Sequence, residues 1–234
     1  MKRFFTLTFT LAIMFLVTAC GNVAQKPVVN TETPEQTTTE SSAQTTTEPA
    51  AQDTKETSKD TPTKKNLIVY FSRTGDNYEV GNIEKGNTKI VADIIAENVD
   101  ADVFEIKPET AYPAEYKECT KVAKSEKENN SRPKFVGQIE NFANYETIYL
   151  GTPVWWGDLP MVVYTFLESY DFNGKKIIPF CTSANDHFVL KESIEKAAKG
   201  ATVLEGLGIR GKRCQENPDS VKTDVTDWLK KVNG

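Results

Sequence analysis

Residues 65–234 predict an α/β domain: one parallel sheet with helices on both faces. Three observations predict it. Short apolar runs rich in β-branched and aromatic residues alternate with helical stripes along the whole stretch. The first run, Leu67-Ile68-Val69-Tyr70-Phe71, is apolar throughout rather than at every second residue, which marks a strand covered on both faces. The strand–helix alternation repeats in tandem, and such units stack into one parallel sheet through right-handed crossovers.

The elements follow in order. Leu67-Ile68-Val69-Tyr70-Phe71 is the first strand. Ile90, Val91, Ile94 and Ile95 share one face of the first helix. Asp102-Val103-Phe104-Glu105-Ile106 is the second strand, and residues 113–129, rich in Lys, Glu and Ala, form a polar-faced helix before a loop over 130–138. Thr147-Ile148-Tyr149-Leu150-Gly151 is the third strand, followed by a helix over 159–168. Lys176-Ile177-Ile178-Pro179-Phe180-Cys181 is the fourth, with Pro179 as a discordant note because proline cannot donate to a ladder. Leu190, Ile194, Ala197 and Ala198 mark the next helix. Residues 201–204, extending in one reading to Ile209, are the fifth strand. Asn217 caps the last helix, Pro218 suits its first position, and Val221, Val225, Trp228, Leu229 and Val232 stripe its inner face.

Ahead of this domain the chain reads as address and tether. Lys2 and Arg3 precede an apolar run from Phe4 to Val17 of roughly 14 residues, short of the about 20 needed to span a bilayer and suited to a secretory leader. The run closes on Val17-Thr18-Ala19-Cys20. Small residues before a cysteine resemble a bacterial lipobox, which makes 1–19 a lipoprotein signal peptide and Cys20 the lipidated residue; an ordinary leader with an incidental cysteine is the alternative. A diacyl anchor suffices for stable attachment where a single chain is marginal. Residues 20–64 are dominated by Thr, Glu, Gln, Ser and Pro and contain no aromatic residue. They cannot bury enough apolar surface to order themselves and are expected to be a disordered tether with an r.m.s. span near ~35–40 Å.

Composition narrows the function. The net charge is −5, and removal of Lys2 and Arg3 makes it more negative, which argues against nucleic acid. Beyond Cys20 stand Cys119, Cys181 and Cys214, so at most one internal bridge is available. His187 is the single histidine, and no ligand spacing suggests a metal.

A parallel sheet binds ligands beyond the carboxyl ends of its strands, where strand order reverses. Beyond the first strand lies Ser72-Arg73-Thr74-Gly75 and, after an insertion over 76–86, Asn87-Thr88 opening the first helix. Short hydroxyls and backbone N–H groups at a helix N-terminus suit a phosphate dianion; a turn with a helix cap would use the same residues. Beyond the third strand lies Gly151-Thr152-Pro153-Val154-Trp155-Trp156-Gly157-Asp158. Two adjacent loop tryptophans seek a partner surface, either the core edge, a protein interface or a flat aromatic ligand. Gly157 leaves room for close approach.

These two segments, followed by Pro179-Phe180-Cys181-Thr182-Ser183, make the domain resemble the flavodoxin-like family. It is similar above all to the bacterial branch with a Tyr-Phe-Ser-Arg-Thr-Gly start and a Pro-x-Trp-Trp loop. The resemblance implies a three-layer sandwich with a five-stranded parallel sheet in the order 2-1-3-4-5, and non-covalent FMN. Ser72, Thr74, Asn87 and Thr88 would hold the phosphate, with Arg73 and Gly75 in the same loop. Thr152, Pro153, Val154, Trp155, Trp156 and Gly157 would line the ring side, with Trp156 the favoured stacking partner and the Gly157 carbonyl accepting from flavin N5–H. Thr182, Ser183 and Ala184 would begin a second ring-side loop that runs to Asp186 and lacks the family's usual glycines. Asp158 would disfavour an anionic reduced flavin. The insertion over 76–86, where relatives run straight on, could cover the site, serve a partner or merely bulge outward, and the outward bulge is the favoured expectation.

The implied function is electron transfer between redox protein partners on the extracytoplasmic face of the cell membrane. An FMN-dependent NAD(P)H:quinone-type oxidoreductase is the alternative. A cofactor-free binding module on the same scaffold is the third reading, since fold alone does not decide function.

Overall fold

A computed structural model describes residues 65–234; the expected leader, Cys20 and the tether lie outside the described residues. The chain runs β1 (Asn66–Tyr70), β2 (Gly75–Asn77), β3 (Gly81–Ile83), α1 (Asn87–Asn98), β4 (Ala101–Glu105), β5 (Lys107–Pro108), α2 (Tyr116–Glu128) and β6 (Phe135–Val136). It continues through β7 (Thr147–Pro153), α3 (Met161–Ser169), β8 (Lys176–Ser183), α4 (Lys191–Ala197), β9 (Thr202–Val203), β10 (Leu207–Arg210), α5 (Gly211–Glu216) and α6 (Pro218–Asn233).

The main sheet is ordered β10-β8-β7-β1-β4, every pair parallel, with β9 also on β8. Counting the principal strands in chain order, this is 2-1-3-4-5, as the resemblance implied. Alternate residues of each strand enter two separate cores. Leu67, Val69 and Phe71 pack with Val162 and Phe166 of α3 and Ile194 of α4. Ile68 and Tyr70 pack on the other face with Val91 and Ile95 of α1 and Val221 and Val225 of α6. Each fully buried aliphatic side chain contributes about 1.5–3 kcal/mol, so the covering of both faces is what holds the three layers together.

The fifth strand departs from expectation: it is broken into β9 and β10. Pro179 explains the break. Lys176 donates its N–H to Glu146 on the β7 side, while the Ile177 carbonyl accepts from Leu204 on the other, at 2.9 Å each. Strand alternation therefore points the Pro179 nitrogen at the fifth strand, where it has no proton to offer. Pairing to β8 stops after Val203, opposite Ile177, and resumes at Leu207, opposite Phe180.

The last helix starts as its punctuation predicts, with Asn217 Oδ1 accepting the Ser220 N–H at 3.3 Å and Pro218 in the first turn. Two small antiparallel pairs, β2 with β3 and β5 with β6, and the short helix α5 went unanticipated. Cys119, Cys181 and Cys214 are all buried and free, and burial pushes the Cys181 and Cys214 thiols up to about 12. Among the described residues no helix is long and apolar enough to cross a membrane.

Candidate functional site

Strand order reverses between β1 and β7, and a cavity of about 490 Å³ opens at the carboxyl ends of β1, β7 and β8. One end of it is the start of α1. Gly86 precedes the helix and brings no capping side chain, and the first turn carries no acid. A Cβ at Gly86 would run into the Ser72 hydroxyl and the Arg73 backbone, so only glycine lets the loop close this tightly. The Asn87 and Thr88 amides precede any intrahelical acceptor, while the Lys89 amide donates to Ser72 Oγ at 3.0 Å.

Thr88, 1% exposed, shares a hydrogen bond of 2.8 Å with Thr182. Two hydroxyls carry two protons and this contact uses one, which leaves the pair one O–H to give to a ligand. Asn87 Oδ1 accepts from Gln215 Nε2 at 2.7 Å, and the same nitrogen donates to the Lys85 carbonyl at 2.9 Å, so α5 pins the loop from behind. Lys212, also on α5, borders this end of the cavity. The donor set of hydroxyls and amides fits a phosphate dianion; the Lys212 ammonium is engaged by Glu216 at 3.1 Å.

The other end is built by an unusual turn. Trp155 and Asp158 exchange both backbone hydrogen bonds, at 2.9 and 3.0 Å, and the two residues between them, Trp156 (φ 52°) and Gly157 (φ 72°), are left-handed. That is the I′ arrangement, for which glycine is well suited and tryptophan is not; holding such a residue there costs of order 1–3 kcal/mol. The turn is held in place by α2. Trp156 Nε1 donates to the Thr120 carbonyl at 3.0 Å, Lys127 Nζ donates to the Trp156 carbonyl at 2.8 Å, and Lys124 sits over the indole at 5.7 Å. Trp156 as a whole remains 53% exposed. Trp155, in contrast, packs edge-on against Phe71 and Tyr112, with ring centroids 5.4 and 4.8 Å away.

Of the residues expected at the site, Ser72, Arg73, Asn87, Thr88, Pro153, Val154, Trp155 and Trp156 line the cavity, as do Thr182, Ser183 and Ala184. Arg73 does so with its guanidinium committed to backbone carbonyls: Pro113 and Ala114, each at 3.0 Å, and Asp76. Thr74, Gly75, Thr152 and Gly157 are not brought to the lining. Thr74 is exposed, and Thr152 is fully buried with its hydroxyl on the Pro153 carbonyl. Gly75 lies in β2, where a Cβ would meet Ala114. Asn185 and Asp186 also fall outside the lining.

Two expectations are corrected. The insertion over 76–86 does not bulge outward: it forms the β2–β3 hairpin, and Asn77, Tyr78 and Glu79 line the cavity. Asp158 does not face the cavity as a free charge. Its Oδ1 accepts from the Leu159 amide, Tyr164 and Ser193 at 2.8, 2.9 and 2.7 Å, and Oδ2 lies 3.5 Å from Lys127. Burial pushes its pKa up, but those bonds and the lysine outweigh it and hold the carboxyl below its usual range. Asp158 fastens the turn to α3 and α4.

One wall went unread. Tyr116, Cys119, Thr120 and Ala123 of α2 line the cavity. Their i, i+3, i+4, i+7 spacing is the stripe of a packed helix face and was visible within the polar-faced helix. Burial pushes the Cys119 thiol up, so this wall presents a neutral S–H.

A family profile described as flavodoxin matches residues 65–232. A solved structure described provisionally as a flavoprotein, from Bacteroides eggerthii, is 22% identical with a TM-score of 0.57, covering 73% of this chain and 99% of its own. Another, described in the same way and from Bacteroides uniformis, is 29% identical with a TM-score of 0.54, covering 70% and 99%. A flavoprotein from Lactobacillus acidophilus, solved in complex with FMN, is 24% identical with a TM-score of 0.50, covering 65% and 97%. No curated protein matches the chain.

Proposed function

The chain belongs to the flavodoxin family, whose profile spans residues 65–232, and on that premise we propose that it holds FMN without a covalent bond and carries electrons between redox proteins. One observation carries the reading: a single cavity runs from the start of α1, where glycine stands in place of a capping side chain, to an exposed indole held on a strained turn. The two ends match the two ends of a flavin nucleotide, an anion and a flat aromatic ring. The FMN bound in the Lactobacillus acidophilus relative supports the same assignment.

In this reading the α1 amides, Ser72, Asn87 and the spare hydroxyl proton of the Thr88–Thr182 pair bind the phosphate. Trp156 covers one face of the ring and shields it from water. Bound there, FMN supplies one- and two-electron redox chemistry. Asp158, already satisfied by four partners, fixes the turn's position instead of tuning the ring's charge. We also propose that Cys20 is lipidated and that the domain works outside the cytoplasmic membrane, on the strength of Val17-Thr18-Ala19-Cys20 behind its apolar leader.

The test is reconstitution of the full-length protein with FMN, followed by reduction. A carrier becomes yellow, bleaches only slowly with NADH or NADPH, and is re-oxidised quickly by a redox protein. Rapid bleaching by a nicotinamide, with turnover when a quinone is supplied, contradicts the carrier and favours a reductase. A protein that stays colourless contradicts both.

A further inference from the structure

The inserted hairpin crosses the mouth of the site. Its base is fastened beside α2: the Asp76 amide donates to the Ala114 carbonyl at 2.8 Å, and Asp76 Oδ2 accepts the Tyr116 amide at 3.4 Å. Its tip reaches the opposite side of the sheet, where Arg210 ends β10. There Arg210 Nη2 lies 2.9 and 2.7 Å from the two Glu79 carboxylate oxygens and Nε lies 3.1 Å from the second. The hairpin thus bridges the start of α2 and the end of the edge strand β10. Asn77, Tyr78 and Glu79 line the cavity from that span.

The tip is not at rest by itself. Glu79 has φ 62°, a left-handed conformation that a glutamate does not adopt without compensation. The forked, charge-assisted contact with Arg210 supplies that compensation. Arg210 is braced in turn: its own amide donates to Asp186 Oδ1 at 2.8 Å, and that oxygen also meets Arg213 at 2.7 Å. Tyr78, 54% exposed, rests against Tyr116 at 6.1 Å between ring centroids.

We propose that Glu79 and Arg210 are positioning residues: their ion pair clasps the hairpin across the cavity and sets how slowly a bound flavin nucleotide leaves. The inference rests on the FMN reading for its ligand but not for its geometry. The pair is part-exposed, with side-chain exposures of 40% and 30%, so high salt loosens it.

The experiment is stopped-flow release of FMN from the full-length protein, its Glu79→Gln and Arg210→Gln variants, and the charge-exchanged double variant Glu79→Arg with Arg210→Glu. Each single variant is expected to release FMN about 3- to 10-fold faster, and 1 M salt to speed release from the wild type but hardly from the singles. The exchanged pair is expected to restore the rate to within about twofold. Release at the wild-type rate from both single variants, with FMN bound normally, overturns the clasp and leaves the FMN reading standing. If the wild type binds no FMN, that reading fails and amide exchange over residues 76–83 decides the clasp. Faster exchange in both singles supports it, and unchanged exchange overturns it.

Discussion

Thr88 and Thr182, on the first helix and the fourth principal strand, share a buried hydrogen bond of 2.8 Å that ties the anion end of the cavity to its ring side. Both residues are nearly fully buried, Thr88 at 1% and Thr182 at 4% exposure. Thr88→Val or Thr182→Val alone is expected to strand the other hydroxyl and cost about 1–3 kcal/mol, whereas the double variant costs less than the sum. Denaturant unfolding of the four proteins checks this; strictly additive losses would count against the shared bond.

The two tryptophans should separate binding from stability. Trp156→Ala is expected to weaken FMN binding by about 1–3 kcal/mol, the scale of base–aromatic stacking, with little loss of stability because the residue is 53% exposed. Trp155→Ala, which removes the ring packed on Phe71 and Tyr112, is expected to lower stability by about 3 kcal/mol. Calorimetric titration and thermal melts on both variants would expose a reversed assignment.

Asp158 predicts an acid limb. Its folded pKa is lowered from 3.8, so its contribution to stability is complete above the unfolded value and is lost as pH falls through the folded one. Asp158→Asn is expected to lose about 1–3 kcal/mol at neutral pH and to show a shallower fall in stability below about pH 4. Parallel pH-dependent melts of wild type and variant measure the difference, and equal slopes would mean the carboxylate is not held as described.

How much of this was legible follows from the range of each interaction. The sheet was readable because its signal is local: Leu67 to Phe71 and Thr147 to Gly151 are apolar on both faces, and Val221, Val225 and Leu229 repeat at helical spacing. The break in the fifth strand was half-legible, since Pro179 was visible but the direction of its missing N–H depends on register. The hairpin's course was not legible. Gly75 and Gly81 signal a turn, but what draws the tip over the site is Glu79 meeting Arg210 from 131 residues away. The anchoring of Asp158 was not legible either, because its partners Tyr164, Ser193 and Lys127 lie on three different helices.

Gly151 carries a prediction of close packing. A Cβ there would enter the Phe180 ring on the neighbouring strand. Gly151→Ala is therefore expected to destabilise by about 1–3 kcal/mol through overpacking, and Gly151→Ala combined with Phe180→Leu to recover part of it. Chemical denaturation reads both.

The α1 terminus and the Trp156 turn are proposed to serve one ligand. Calorimetric titration of the full-length protein with FMN, with tryptophan fluorescence followed in parallel, tests this most directly. Saturable one-to-one binding is expected, with quenching that is largely lost in Trp156→Ala and weakened in Ser72→Ala. Absence of heat and of quenching in the wild type would contradict it.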